Sequence, residues 1–198
     1  MTKFKIIEDR SPYYIKFIYP EYADDFKLMK DISDTLKFSP WFYTKPSTIN
    51  FHGSNLEKQQ QEYISENNEC AKVLKLKLGG FNMTSKHGLS AIHLDRSTLG
   101  VCPYKLMYGI KILDDTCITS WYNSEDVTSI DTFYIDNDAP TPTPVATTII
   151  TVNEAILFNT SIYHTWINYG TNDRILANFY EPSGTTTFDE AKNILFEI

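Results

Sequence analysis

EAILFNTSIYHTWINYGTNDRILANFYE, residues 154–181, decides the fold. Three short runs rich in aromatic and branched residues, Ala155–Phe158, Tyr163–Ile167 and Arg174–Tyr180, are separated by small polar clusters. Each run is too short for a helix and has strand-forming composition, and the Tyr169-Gly170-Thr171-Asn172-Asp173 break carries turn chemistry. The stretch therefore predicts consecutive short strands.

The same rhythm extends upstream. Lys72 to Leu78 (KVLKLKL) alternates Lys with Val or Leu and predicts a strand with one wet face, ended by a turn at Gly79-Gly80. Ser90 to Leu94 is short and apolar. Tyr104 to Leu113 predicts a strand, Asp114-Asp115 a turn, and Thr116 to Tyr122 its hairpin partner. Weaker strands fall at Thr132 to Ile135 and Ala146 to Val152, with the 136–144 segment, holding Pro140, Pro142 and Pro144, as a loop. About eight short strands with polar turns predict an all-β sandwich or barrel. Phe188 to Phe196 closes the chain as a helix, with Thr187 as its cap.

The first third is mixed. Tyr13 to Tyr19 predicts a strand stopped at Pro20. Ala23 to Phe38 places Phe26, Met29, Ile32 and Leu36 at helical spacing, and Asn55 to Ser65 predicts a second, polar helix. Between them, Pro40-Trp41-Phe42-Tyr43 breaks the pattern. A single domain is expected: a helical and mixed flank (1–70), a β core (71–182) and a carboxyl-terminal helix (183–198).

Composition narrows the function. The 198 residues are 42% hydrophobic and 14% aromatic, with a net charge of −7. A packed globule is expected, and the acidic balance with no basic run argues against a nucleic-acid partner. No signal peptide opens the chain and no apolar run reaches the roughly 18 residues that span a bilayer. Cys70, Cys102 and Cys117 are odd in number and lack CxxC spacing, as expected of thiols in a reducing cytoplasm.

Of the four histidines, His52 and His87 read as loop residues. His93 and Asp95 are two apart, so in an extended chain they project to one face. His164 sits in a late strand among apolar and neutral neighbours. Two imidazoles and one carboxylate can occupy one face of an octahedron and leave three positions open, which suits Fe(II) oxygen chemistry. Both imidazoles must be neutral to bind, so activity is expected to fall below about pH 6.5. Arg174 follows His164 by ten residues. A tight hairpin at 169–173 would set the two strands side by side. Its guanidinium can then hold the far carboxylate of a short dicarboxylic acid chelated to the metal, or serve as a structural cation.

With these residues in view, the chain resembles the Fe(II)/2-oxoglutarate-dependent oxygenase superfamily over roughly residues 70–182. SAIHLDRSTLG (90–100) resembles the metal-binding strand and its loop. CPYKLMYGIKILDDTCITSWY (102–122) and residues 154–181 resemble segments of the aspartyl/asparaginyl β-hydroxylase-like and phage-borne members. The resemblance implies a double-stranded β-helix, a jelly-roll or cupin-like barrel. It implies Fe(II) on His93, Asp95 and His164, and 2-oxoglutarate held by Arg174. O2 is the oxidant, ascorbate a stimulant, and succinate and CO2 the co-products of C–H hydroxylation. Many members carry Ser or Thr two residues after this Arg, where this chain has Leu176. Tyr104 or Tyr108 is expected to supply the missing hydroxyl, with Trp166 and Asn168 lining the cavity. Keeping Asp95 favours hydroxylation over halogenation. The expected substrate is a peptidyl side chain or a small metabolite, in a bacterial cell or phage-infected host. Two other classes stay open: a cupin-like non-redox metalloenzyme, and a catalytically silent barrel acting as a binding or virion module.

Overall fold

The computed structural model describes residues 4–20, 23–40, 50–53, 57–90, 92–97, 100–101, 103–112, 115–127 and 142–196. In chain order its elements are β1 (Lys5–Arg10), β2 (Tyr14–Ile18), α1 (Asp24–Thr35), β3 (Phe38–Pro40), β4 (Asn50–Gly53), α2 (Lys58–Asn67), α3 (Glu69–Leu74), β5 (Lys77–Thr84), β6 (Arg96–Ser97), β7 (Gly100–Val101), β8 (Tyr104–Lys111), β9 (Cys117–Tyr122), α4 (Ser124–Val127), β10 (Ala146–Ile149), β11 (Glu154–Asn159), β12 (Tyr163–Asn168), β13 (Arg174–Tyr180) and α5 (Phe188–Phe196). The expected strand at 132–135, the 136–141 part of the proline-rich loop, and Trp41, Phe42, Tyr43 and Cys102 lie outside the described residues.

Two antiparallel sheets carry the fold. The large one runs β1-β2-β11-β8-β13-β5-β4-β3 and the small one β10-β9-β12. Strands of the carboxyl-terminal half cross between sheets, from β8 to β9, from β10 to β11, from β11 to β12 and from β12 to β13. That winding is the expected double-stranded β-helix. The amino-terminal third does more than flank it, because β1 to β4 extend the large sheet at both edges.

Crossing corrects two expectations. The β8 and β9 strands are not a hairpin: β8 pairs with β11 and β13, while β9 pairs with β10 and β12. Nor do β12 and β13 lie side by side, since β13 pairs with β5 and β8 in the other sheet. Both β8 and β13 are buried along nearly their whole length, as suits central strands covered on two faces.

The large sheet has a different core on each face. Tyr104, Leu106, Tyr108 and Ile110 of β8 pack with Phe26, Met29, Ile64, Leu74 and Phe196 of the helices. Met107 joins Tyr14, Trp121, Ile156, Phe158 and Leu176 in the gap between the sheets. Strand alternation sorts the residues this way. In β13, Ile175, Ala177 and Phe179 go to the helix side and Leu176 to the gap. By the same alternation Arg174 and Asn178 face the gap.

The KVLKLKL segment is also reorganised. Lys72 to Leu74 end helix α3, and the strand begins only at Lys77. Asn68 caps α3 by accepting the Ala71 N–H at 2.8 Å. Cys70, Ala71 and Leu74 are buried at helical spacing, and Lys75 ends the helix in the left-handed region at φ 54°. Gly79-Gly80 then lies within β5, not at a turn. Gly80 has φ 140°, and the pairing with β13 shifts register between Asn178 and Phe179 opposite it. The second helix runs Lys58–Asn67, and Thr187 caps α5 through the Glu190 N–H as expected.

Asn68 does more than cap. Its Nδ2 donates to Asp25 Oδ2 at 2.8 Å, and its Oδ1 accepts from the Tyr108 hydroxyl at 3.0 Å. Tyr19 also donates to Asp25 Oδ2, at 2.9 Å. The network ties α1, the start of α3, the residue that follows β2, and β8 together where Asn68 is fully buried. Asn68→Ala leaves a buried carboxylate and a buried phenol short of partners. We expect it to destabilise the fold by about 2–4 kcal/mol, read from the urea midpoint.

Candidate metal centre

The site begins with a pairing in the small sheet. Leu89 and His93 form antiparallel bridges along the free edge of β12, with Leu89 opposite Ile167 and His93 opposite His164. His93 and His164 exchange both backbone hydrogen bonds, at 2.9 and 3.0 Å. Directly opposed residues of this kind project their side chains to one face. The register slips by one residue between the two bridges. Thr165 Oγ1 fills the slip by donating to the Ser90 carbonyl at 2.6 Å, and Ser90 Oγ accepts the Trp166 N–H at 3.1 Å.

Asp95 follows on the same side, its N–H reaching the Thr160 carbonyl at 3.4 Å. One ligand atom from each of His93, Asp95 and His164 lies within 4.8 Å of the others. His93 Nε2 is 3.7 Å from Asp95 Oδ1, and His164 Nε2 is 3.8 Å from Asp95 Oδ2. The expected triad is thus brought together.

His164 shows what these atoms are set to receive. Its ring is fully buried, edge-on to Phe158 at 4.7 Å. Nδ1 donates to the Ile162 carbonyl at 2.8 Å, which fixes the tautomer with a bare Nε2. Nε2 has no hydrogen-bond partner among the described residues. Burial first, and then His93, push the imidazole pKa down to about 3, so the ring is neutral across the physiological range. A bare, neutral, buried imidazole nitrogen facing a carboxylate and a second imidazole fits a divalent transition ion. Burial pushes the Asp95 carboxyl up. Lys105 foremost, with His164 and His93, outweighs burial and holds it below its ordinary value.

Trp166 stands at the site as expected, its ring edge-on to His93 at 5.2 Å. The other expected lining residues do not. Tyr104 and Tyr108 face the helices, because even-numbered positions of β8 belong to that core, and the Tyr108 hydroxyl is committed to Asn68. Asn168 is used up in its own turn. Its Nδ2 donates to the carbonyls of Thr84, Ser85 and Asn172, and its Oδ1 accepts the Gly170 N–H. His87 is exposed at φ 58°, in keeping with a loop residue.

Arg174 reaches the gap by another route than the one expected. From the first position of β13 it crosses to the small sheet and donates through Nη1 to Cys117 Sγ at 2.7 Å. Its side chain is buried at 3% exposure, and its Nε has no partner among the described residues. No carboxylate among the described residues pairs with it. A buried guanidinium is costly to the fold unless an anion neutralises it.

Sequence reasoning missed three residues here. Lys105, on the gap side of β8, places Nζ 2.8 Å from Asp95 Oδ2. Thr119 Oγ1 and Asn178 Oδ1 are buried without partners among the described residues. Along one face of β9, Thr119 lies between Cys117, which meets the guanidinium, and Trp121, which pairs with His164. Residue alternation gives the face once the strand is known; the sequence offers no sign of which sheet the strand enters.

No protein-family model matches the sequence, and no curated protein does. Solved structures do share the fold. HygX from Streptomyces hygroscopicus, with nickel and 2-oxoglutarate bound, is 16% identical over 87% of this chain and 84% of its own, with a TM-score of 0.52. The non-heme alpha ketoglutarate dependent carbocyclase SnoK from nogalamycin biosynthesis is 8% identical over 86% of this chain and 79% of its own, with a TM-score of 0.51. At such identities the likeness is one of fold.

Proposed function

We propose that the protein is an Fe(II)- and 2-oxoglutarate-dependent dioxygenase that hydroxylates a C–H bond. The observation that carries the reading is the convergence of His93, Asp95 and His164 on one point, with His164 Nε2 buried and bare. These three residues would hold the metal. When bound, it supplies activation of O2 coupled to conversion of 2-oxoglutarate to succinate and CO2, with one oxygen atom entering the substrate.

The chain's own residues divide the remaining work. Arg174 neutralises the distal carboxylate of 2-oxoglutarate, and the Thr119 hydroxyl, not a residue two beyond the Arg, is the donor at hand to share it. Phe158 packs edge-on against the buried His164 ring, and Trp166 stands edge-on to His93. Retention of Asp95 supports hydroxylation. A peptidyl side chain, as in the aspartyl/asparaginyl β-hydroxylase-like and phage-borne members, is the first substrate class, and a small metabolite the second. HygX has also been solved with nickel, 2-oxoglutarate and hygromycin B bound, which supports the second class. A bacterial or phage-infected cytoplasm is the proposed setting.

Anaerobic addition of Fe(II) and then 2-oxoglutarate tests the assignment. A visible charge-transfer band that saturates with 2-oxoglutarate is expected. A protein that takes up Fe(II) but shows neither band nor saturable 2-oxoglutarate binding refutes it and favours a non-redox metalloenzyme.

A further inference from the structure

Lys105 is the described cation that meets the triad. It lies on β8 among residues that pack on the helices, but alternation turns it to the opposite face, toward Asp95. In register it stands between Phe158 of β11 and Tyr180 of β13. Its side chain is 28% exposed, so the ammonium is at the open side of the site, and its Nζ lies 2.8 Å from Asp95 Oδ2. Oδ1 lies 3.7 Å from His93 Nε2, while Oδ2, ion-paired to Lys105, is 3.8 Å from His164 Nε2.

We propose that Lys105 is a positioning residue that holds one oxygen of Asp95, so that the carboxylate offers the metal a single oxygen and leaves room for a chelating anionic co-substrate. This rests on the dioxygenase reading above. An ion-paired oxygen is a poorer metal ligand than a free one, because the ammonium competes for its lone pairs and repels a dication. A carboxylate with both oxygens at liberty closes on a metal ion in bidentate fashion and takes up a position that a co-substrate needs. The same ammonium draws a dianion toward the open face. The cation therefore weakens binding of bare metal and strengthens binding of 2-oxoglutarate to the metal-loaded protein.

Opposite signs make the test sharp. Mn(II) is titrated into the protein calorimetrically, and 2-oxoglutarate is then titrated into the Mn(II)-loaded protein. Lys105→Met keeps the apolar stem and removes the charge. Mn(II) is expected to bind it roughly tenfold more tightly than wild type, and 2-oxoglutarate roughly tenfold more weakly, the scale of one neighbouring charge. Lys105→Arg retains a cation and donors, so both constants should stay close to wild type. A side chain that merely supports the fold would weaken both steps in Lys105→Met. That result, or unchanged constants, overturns the proposal while wild-type binding of Mn(II) and 2-oxoglutarate leaves the dioxygenase reading standing. Failure of the wild type to bind either overturns both.

Discussion

His164→Ala should abolish metal binding and activity together. Wild type mixed with excess Mn(II) or Fe(II) is expected to melt at a higher temperature than without, because a ligand bound only by the folded state adds about 2.7 kcal/mol at 100 times its dissociation constant. In His164→Ala that increment should vanish, and affinity should fall by on the order of 100-fold or more, since the substitution removes one of three ligands. The reason lies in geometry: Nε2 is the ligand atom aimed by a second bond, from Nδ1 to the Ile162 carbonyl, and seated in a dry wall of aromatic rings. Acid behaviour gives an independent reading. The unfolded imidazole takes a proton below about pH 6.5, and the folded one only below about 3. A depressed folded-state pKa means stability present above 6.5 and lost as pH falls toward 3. His164→Ala should flatten the acid limb of the stability profile in that window. Loss of metal between pH 7 and 5 therefore has to come from a group other than His164, which narrows the sequence expectation of a decline below about 6.5. A metal-induced melting shift that survives in His164→Ala would remove this residue from the site.

The three residues of the candidate metal centre are legible in the sequence because they obey local rules. His93 and Asp95 share a face through the two-residue period of an extended chain, whatever sheet they enter. His164 stood out as an imidazole in an apolar strand. What sequence could not show is where each strand goes. Strands β8 and β9 look like a hairpin, since two β-rich runs with an Asp-Asp turn between them satisfy the local pattern, yet each is buried on both faces and pairs with strands from far along the chain. Choosing the wrong partner also misplaced Tyr104 and Tyr108, whose face depends on which side of β8 the helices cover. Lys105 escapes the sequence for the matching reason: a lysine between buried positions reads as the wet face of a strand, and only the inter-sheet gap turns that face toward Asp95. In KVLKLKL, the alternating pattern was real, but the Asn68 cap and the burial of Cys70, Ala71 and Leu74 overrode it.

Arg174→Met should leave the fold as stable as wild type or more so, while 2-oxoglutarate affinity of the metal-loaded protein falls about 100-fold. The two halves of this expectation pull apart the possible roles of a buried arginine. A structural guanidinium is paired, and cutting a buried pair costs several kcal/mol because the abandoned charge has no solvent. Arg174 abandons no carboxylate among the described residues, only the Cys117 thiol, so methionine removes an unneutralised charge and fills similar volume beside Leu176. The loss appears instead when the anion arrives. A dicarboxylate that chelates the metal with one end needs its other carboxylate neutralised inside the gap, and a fork of planar donors does this where a methyl thioether cannot. Chain length of the ligand supplies the control. Pyruvate has the chelating keto acid and no distal carboxylate, so Arg174→Met should bind it to the metal-loaded protein about as well as wild type does. Measured by calorimetry, an equal loss for pyruvate and 2-oxoglutarate would mean that the substitution disturbs the metal end. A fall in melting temperature with unchanged 2-oxoglutarate affinity would return Arg174 to the structure. Only a penalty confined to the ligand with the second carboxylate, in a protein that melts no lower, matches a guanidinium whose work is to neutralise that carboxylate.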